Sequence, residues 1–522
     1  MSFRPVPDAS HPVLPLLGYR ERRGRWVLAA TVLGSGLAMI DGTVVNVALP
    51  TIGRDLEAGI GGLTWVVNAY TLTLASLILL GGSLGDRYGR RRVFIVGVVW
   101  FIVASLLCAA APSIELLIAA RALQGVGGAL LTPGSLAIIQ ASFRHEDRAR
   151  AIGAWSGLGG VAGASAPLLG GWLVEAGSWR LIFLINAPVA ALVLLAARHV
   201  PETRDSEPPH HLDVLGVGLC TMGLGGLTFG LTSWAGNSLT EPVVWTPLTA
   251  GVALLAAFLL REQDAPAPLM PLGLFRSRVF SASNAVTFAV YAALGGVFFW
   301  LLLTLQVVVG FSPVQAGLAL LPMTLLLLVL SSKAGAWGQR VGPRLPMTIG
   351  PMLSAGGVAA LTRVGAGASY RADVLVPVLL FGLGLAVTVA PLTAAVLAAA
   401  PDRHVGVASG INNAVARAAG LLAVATLPVI VGLGGEAYGD PNALAPAYRT
   451  AMWVCAGLLA AGSSVAFLFV RNPPALLPPT RRQDPQAGQR RVCCPLDAPP
   501  LSGRMADRRL PPTGTPASPL PS

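Results

Sequence analysis

Gly82-Ser83-Leu84-Gly85-Asp86-Arg87-Tyr88-Gly89-Arg90-Arg91 closes one apolar run of this chain, and Gly335-Ala336-Trp337-Gly338-Gln339-Arg340-Val341-Gly342-Pro343-Arg344 closes another in the same frame. Any short loop on the basic side of a membrane needs glycines to turn and arginines to orient it. That need explains the composition but not the shared register, which marks two copies of one unit.

Working outward from the two loops, apolar runs of bilayer-spanning length give about fourteen crossings. They fall near 26–49, 63–81, 93–112, 115–139, 151–173, 180–197, 213–234, 244–260, 279–308, 313–331, 345–364, 373–398, 407–433 and 450–470. If the second and tenth spans are equivalent, spans 1–6 and 9–14 form two halves and spans 7–8 are an extra hairpin. Parallel six-helix halves with a midplane site between them are a transporter architecture. The expected division is a cytoplasmic N-terminal segment (1–25), a first six-helix bundle (26–198), a cytoplasmic loop with the extra hairpin (199–262), a second bundle (263–471) and a disordered cytoplasmic tail (472–522). The tail is assigned on its Pro- and Arg-rich, aperiodic composition.

With 54% hydrophobic and 11% charged residues in 522, the fold class is an all-α polytopic membrane protein, and long apolar runs exclude a barrel of short alternating strands. The net charge of +12 is not gathered into a soluble nucleic-acid module. It sets orientation: counted with the N-terminus inside, inner loops carry about sixteen basic residues against about five outside, so both termini are expected in the cytoplasm. The basic residues before the first span resemble a signal peptide's start, but the run that follows is too long and lacks a cleavage site. Five cysteines, three in spans and two in the tail (Cys493, Cys494), form neither a disulfide framework nor a metal set, and the six histidines share no helix face.

Asp41 lies deep in the first span. A carboxylate there costs roughly 2.5–3.5 kcal/mol on insertion scales and persists where it meets a polar cavity or a partner. Arg121, on the antiparallel fourth span, comes out at a similar depth at 1.5 Å per residue. The two are therefore expected to meet, either as a static pair that fixes helix register or as a device that loads and releases a proton when water access or their separation changes.

These residues also carry a resemblance. The loop Gly82–Arg91 resembles the signature loop of the major facilitator superfamily, and Ile40-Asp41-Gly42-Thr43-Val44-Val45-Asn46-Val47-Ala48-Leu49-Pro50 resembles the first-helix motif of its fourteen-helix drug:proton antiporters. Arg121–Ala129 is similar to the fourth-helix motif, and Gly153 through Gly171 to the fifth-helix antiporter motif ending in Pro167-Leu168-Leu169-Gly170-Gly171. Trp179–Pro188 fits the same pattern. The resemblance implies a major facilitator fold and multidrug efflux, with Asp41 binding the proton and Arg121 handling it. It also implies a fifth helix (Gly153, Gly157, Gly163, Pro167, Gly170, Gly171) that bends between states. Ala162 and Ala166 stand where that motif has glycine, which weakens the antiport inference at this helix.

Arg121, Gln124, Gly125, Gly128, Thr132 and Ser135 recur at helical spacing, so the stripe lines either a water path or a close helix contact. Gly410, Asn413, Arg417 and Gly420 repeat the design in the thirteenth span, with Arg417 roughly 15 Å along its helix and facing either the cavity or a backbone partner. Asn46, Asn68, Gln124, Asn413 and Arg417 are the expected substrate-cavity residues. Gly82, Asp86, Arg87, Gly89, Arg90 and Arg91 are the expected conformational latch, and Gln339 in the second copy makes any such latch asymmetric. Trp65, Tyr70, Tyr291, Phe298, Phe299 and Trp300 are either substrate contacts or lipid-facing anchors.

Lys333, the only lysine, is followed by Ala334, so no P-loop is present. The reading is therefore a proton-coupled exporter of small apolar or amphipathic compounds, in the plasma membrane, with no cofactor beyond the proton gradient and no enzyme chemistry. Its partners are the lipid bilayer, a small-molecule substrate and protons, with no nucleic acid. A monomer is expected, and whether a periplasmic adaptor joins it is left open. The rivals are a proton-coupled carrier of one metabolite and a membrane receptor or channel.

Overall fold

The computed structural model describes residues 16–204, 213–235, 237–265, 268–401, 405–434 and 437–472. The tail, Cys493, Cys494, His210 and His211 lie outside them. Fifteen α-helices occupy the described residues: α1 (Arg22–Asp55), α2 (Ile60–Tyr88), α3 (Arg90–Ala110), α4 (Ile114–Ser142), α5 (His145–Ala176), α6 (Leu181–Leu184), α7 (Asn186–Ala197), α8 (Val214–Trp234), α9 (Pro242–Asp264), α10 (Arg278–Val307), α11 (Pro313–Val341), α12 (Arg344–Leu361), α13 (Val376–Ala398), α14 (Val405–Val431) and α15 (Pro441–Phe469). Eleven of them are long and apolar enough to cross a membrane.

Local chemistry sets the ends. Ser113 caps α4, Asp213 caps α8, Ser277 caps α10, and Ser312 with Gln315 forms a reciprocal capping box on α11, each satisfying N–H groups that a helix start leaves free. The expected sixth span, 180–197, is the apolar stretch Leu181–Ala197, in which α6 runs into α7 through Ile185, itself in helical conformation. Pro188 sits in the first turn of α7, where its missing N–H costs nothing. Asn186, first residue of α7, is buried inside the bundle.

The repeat is visible in the backbone. Gly89 ends α2 with φ of 111° and Gly342 ends α11 with φ of 84°, a conformation that only glycine adopts without strain. In both copies the next helix starts at once, and a side chain from beyond the last helix of the same half covers the turn. Glu202 Oε1 accepts from Arg91 N at 3.1 Å, and Asn472 Oδ1 accepts from Arg344 N at 3.1 Å.

Within the first half α4 packs against α2 and α3, and within the second α13 packs against α11 and α12. The halves meet along α5 with α11 and α2 with α14. The first seam is very close: a Cβ on Gly171 would strike the Pro313 carbonyl, and one on Gly317 the Pro167 carbonyl. Away from the arginine-rich face, three hydrogen bonds among the described residues join the halves. Gln306 Nε2 donates to Val47 O (2.9 Å), the Tyr438 hydroxyl to Ala58 O (2.7 Å), and the Ser312 hydroxyl to Glu175 (3.1 Å). On the arginine-rich face Arg91 bonds within the first half and Arg344 within the second. The hairpin α8–α9 lies on the flank, α8 touching both α2 and α14 and α9 mostly exposed. Large apolar side chains such as Trp100, Trp172, Leu192, Trp245 and Trp453 cover the exposed surface, as a lipid-facing perimeter requires.

Candidate functional site

Five helices bring their few polar residues to one point. Asp41 of α1 is fully buried and every partner it has is a donor: Arg121 Nη1 of α4, Gln124 Nε2 of α4 at 2.8 Å and Asn186 Nδ2 of α7 at 3.1 Å. Arg121 is itself 1% exposed. Its Nε donates to Val66 O of α2 at 3.1 Å, its Nη1 also reaches Gln124 Oε1 at 2.6 Å, and its guanidinium lies 4.3 Å from the Tyr70 ring centroid. Ser105 of α3 closes the network, accepting from Asn186 at 2.9 Å and Gln124 at 3.2 Å and donating to Phe183 O at 2.9 Å. A buried ion pair survives when hydrogen bonds satisfy its remaining lone pairs and protons, and this one is supported on every side.

Beside the network lies a cavity of about 370 Å³, walled by α1, α2 and α5 from one half and α10, α13 and α14 from the other. It runs roughly 22 Å along α14, from Ser409 to Val424. Asn46, Asn68, Asn413 and Arg417 all line it. Asn46 Nδ2 donates to the carbonyls of Gly42 and Thr43 (3.4 and 3.3 Å) and Asn413 Nδ2 to Ser409 O (3.0 Å), both within their own helices. Asn68 is buried, and neither its amide nitrogen nor its oxygen has a partner among the described residues. Arg417 is half-buried and makes no hydrogen bond or ion pair among the described residues.

The placements of Gln124, Phe299 and Trp300 are corrected, and others are decided between two alternatives. Gln124 does not line the cavity: one turn from Arg121 on the face of α4 that meets α1 and α3, its amide is drawn into the ion-pair network. Asp41 meets Arg121 as expected and lies buried beside the cavity, with Tyr70 buried next to the pair and its hydroxyl donating to Ala38 O at 2.9 Å. The remaining stripe of α4 is a helix contact: Gly125 and Gly128 lie against Tyr70 and Leu74, and Ser135 donates to Leu131 O at 3.1 Å. Of the aromatics, Tyr291 and Phe298 reach the cavity, Phe299 and Trp300 are core, and Trp65 packs on Phe229 of α8.

On the fifth helix Gly163 lines the cavity, Gly170 lies against Val44 of α1, and Pro167 and Gly171 form the seam with α11. The helix is continuous through Pro167. The surroundings of Gly153 and Gly157 lie outside the described residues. In the signature loop Asp86 pairs with Arg90 at 2.8 Å, Arg87 is exposed, and Gly82 approaches Pro133 of α4. All these contacts stay within the first half.

Two network members escaped the sequence reading. Asn186 carried a usable signal, an amide in an apolar stretch just before a proline, and deserved the argument applied to Asp41. Ser105 carried none, since hydroxyls are common in apolar helices and usually bond their own turn.

Two helical bundles around a central polar cavity, with a charged pair buried in the membrane-spanning region, define a polytopic membrane carrier. The comparisons give the family: residues 31–424 match the Major Facilitator Superfamily model, and the chain belongs to that superfamily. It is 35% identical over 416 residues to the methylenomycin A resistance protein of Bacillus subtilis (strain 168), covering 79% of this chain and 88% of that one. It is 35% identical over 422 residues to the tetracenomycin C resistance and export protein of Streptomyces glaucescens (80% and 77%). It is also 35% identical over 466 residues to the puromycin resistance protein pur8 of Streptomyces alboniger (86% and 92%). Among solved structures, a bacterial homologue of the human lysosomal transporter Spinster, inward-facing and occupied, superposes with a TM-score of 0.63 at 17% identity, covering 87% of this chain and 98% of that one. The D-xylose–proton symporter superposes at 0.61 and 14% identity (86% and 98%). At those identities the likeness is one of fold.

Proposed function

We infer that this chain is a secondary active exporter of small apolar or amphipathic compounds, drugs and antibiotics among them, driven by inward proton flow. The resistance and export proteins to which it is similar over most of its length support the export reading. The observation that carries proton coupling is Asp41, an acidic group in mid-bundle whose three partners are all donors. Protonation cancels its charge and turns one carboxylate oxygen into a donor facing donors. The proton thus loosens α1 from α4 and α7, and its release re-forms the pair. The proposed organisation is about fourteen crossings in two six-helix bundles (26–198 and 263–471) with α8–α9 as the extra hairpin. Both termini and the arginine-rich face are on the cytoplasmic side of the plasma membrane. In this arrangement the hydrogen bonds of Gln306, Tyr438 and Ser312 close the outer side, so the cavity belongs to an inward-facing state. The chain works as a monomer, uses no cofactor, and performs no covalent chemistry.

Purified protein in vesicles tests this. Over a panel of amphipathic compounds, an imposed pH difference is expected to drive accumulation, and compound movement against its gradient is expected to carry protons the other way. Equal uptake with and without the pH difference refutes the coupling, and uptake of none of the panel refutes the export reading.

A further inference from the structure

The cavity is electrically one-sided. Among its described lining residues Arg417 alone carries a charge, and no carboxylate faces it. The buried acid of the first half cannot serve: Asp41 is wholly buried and already matched by Arg121. No hydrogen bond or ion pair among the described residues satisfies Arg417. An arginine in a membrane-spanning helix persists where it meets water, a partner or a ligand, and this one has no protein partner. A second observation points into the same space. Asn68, on α2 of the other half, is buried and lines the cavity, and neither of its amide atoms has a partner among the described residues, a standing cost unless something bonds it.

Resting on the export reading, we propose that this cavity takes compounds bearing an anionic oxygen group, a carboxylate or an ionised phenol or enol, held by Arg417. The guanidinium fork matches a two-oxygen acceptor, and its hydrogen bonds to an anion are about twice as strong as neutral ones. Asn68 offers one donor and one acceptor to a polar group elsewhere on the compound, and Tyr291 and Phe298 cover its apolar body. The same charge works as an exclusion: an ammonium compound meets an unpaired positive group and no carboxylate to offset it.

The test uses the full-length protein in nanodiscs of phosphatidylcholine, which carry no net lipid charge, and three probes on one ring system: 9-anthracenecarboxylate, 9-anthracenemethanol and 9-(aminomethyl)anthracene. Binding is read from anthracene fluorescence at neutral pH and corrected against empty nanodiscs. The carboxylate is expected to bind about tenfold more tightly than the ammonium compound, with the alcohol between. Arg417→Gln, which orphans no partner, is expected to bring the three within about twofold, while Arg417→Lys keeps the order with a smaller gap. Asn68→Ala is expected to weaken all three alike. Ammonium binding as tight as carboxylate binding, an order that survives Arg417→Gln, or binding of none of the probes overturns the proposal. The export reading is judged separately: loss of gradient-driven transport with the charge preference intact removes that reading and leaves this one standing.

Discussion

Asp41→Asn isolates the charge of the buried network while keeping its shape. Asp41 accepts from Arg121, Gln124 and Asn186, and asparagine supplies one acceptor and one donor in the same volume. With its oxygen in the place of Oδ2 it keeps the Arg121 contact and turns N–H toward Gln124 and Asn186, and with its oxygen in the place of Oδ1 it keeps those two and turns N–H toward Arg121, so at least one contact becomes donor against donor either way. Arg121 loses its counter-charge. Breaking a buried pair this way costs about 3–5 kcal/mol. Here the lower end applies, since Arg121 keeps the Val66 carbonyl, Gln124 Oε1 and the Tyr70 ring, so about 3 kcal/mol of destabilisation is expected. Thermal denaturation in detergent should show a lowered midpoint with folded protein still recovered. Because Asp41 does not line the cavity, compound binding in the variant should stay within about threefold of the parent. Transport driven by a pH difference should fall to the level of protein-free vesicles. Normal gradient-driven transport in Asp41→Asn would show that this carboxylate is not the coupling group. Loss of binding with transport would show instead that the network and the cavity are one site.

Other perturbations separate the seams from the site. Gln306→Leu removes one hydrogen bond between the halves, about 1 kcal/mol, and should raise the fraction of molecules open opposite the arginine-rich face roughly fivefold. Thiol labelling of a cysteine placed on that side measures it, and unchanged labelling refutes the closure assigned to Gln306. Gly317→Val drives a side chain into the Pro167 carbonyl, so the α5–α11 seam must part. The same labelling should rise further while transport falls, and full transport would show that this seam need not close. Asp86→Ala breaks a partly exposed ion pair within the first half, so stability should change by no more than about 1 kcal/mol. If Asp86 serves the cycle, counterflow slows without loss of binding, and an unaltered rate argues against a latch.

The two-half fold was legible because it is written in periodic features: long apolar runs, basic loops, and the frame shared by Gly82–Arg91 and Gly335–Arg344. The meeting of Asp41 and Arg121 was legible because depth along a helix is arithmetic. What sequence could not supply is azimuth. Gln124 and Arg121 share a stripe, yet whether it faces water or a neighbouring helix depends on how α4 is turned against α1 and α3. The structure answers that it faces helices. The same blindness hid Ser105, and it left Arg417 undecided between a backbone partner and the cavity.

The repeat finally says why the two halves divide the work. Gly125 lies against Tyr70 on α2, and Gly382 lies against Met323 on α11, the position that the loop register pairs with Tyr70. Counting from these contacts, Arg121 and Gln124 correspond to Val378 and Phe381, and the loop register sets Leu294 opposite Asp41. The second half therefore has apolar residues at each position where the first holds its ion pair. A charge left unpaired there has no internal partner to satisfy it, and Arg417 turns to the shared cavity instead. The prediction is specific. Leu294→Asp places a carboxylate in the cavity wall, where α10 faces α14, and should pair with Arg417. Because the new charge neutralises the guanidinium rather than entering the Asp41 network, gradient-driven transport of the compounds that remain bound should keep its proton dependence. The carboxylate preference should drop by about tenfold. Proton coupling lost together with charge preference would mean that the halves do not divide the two tasks.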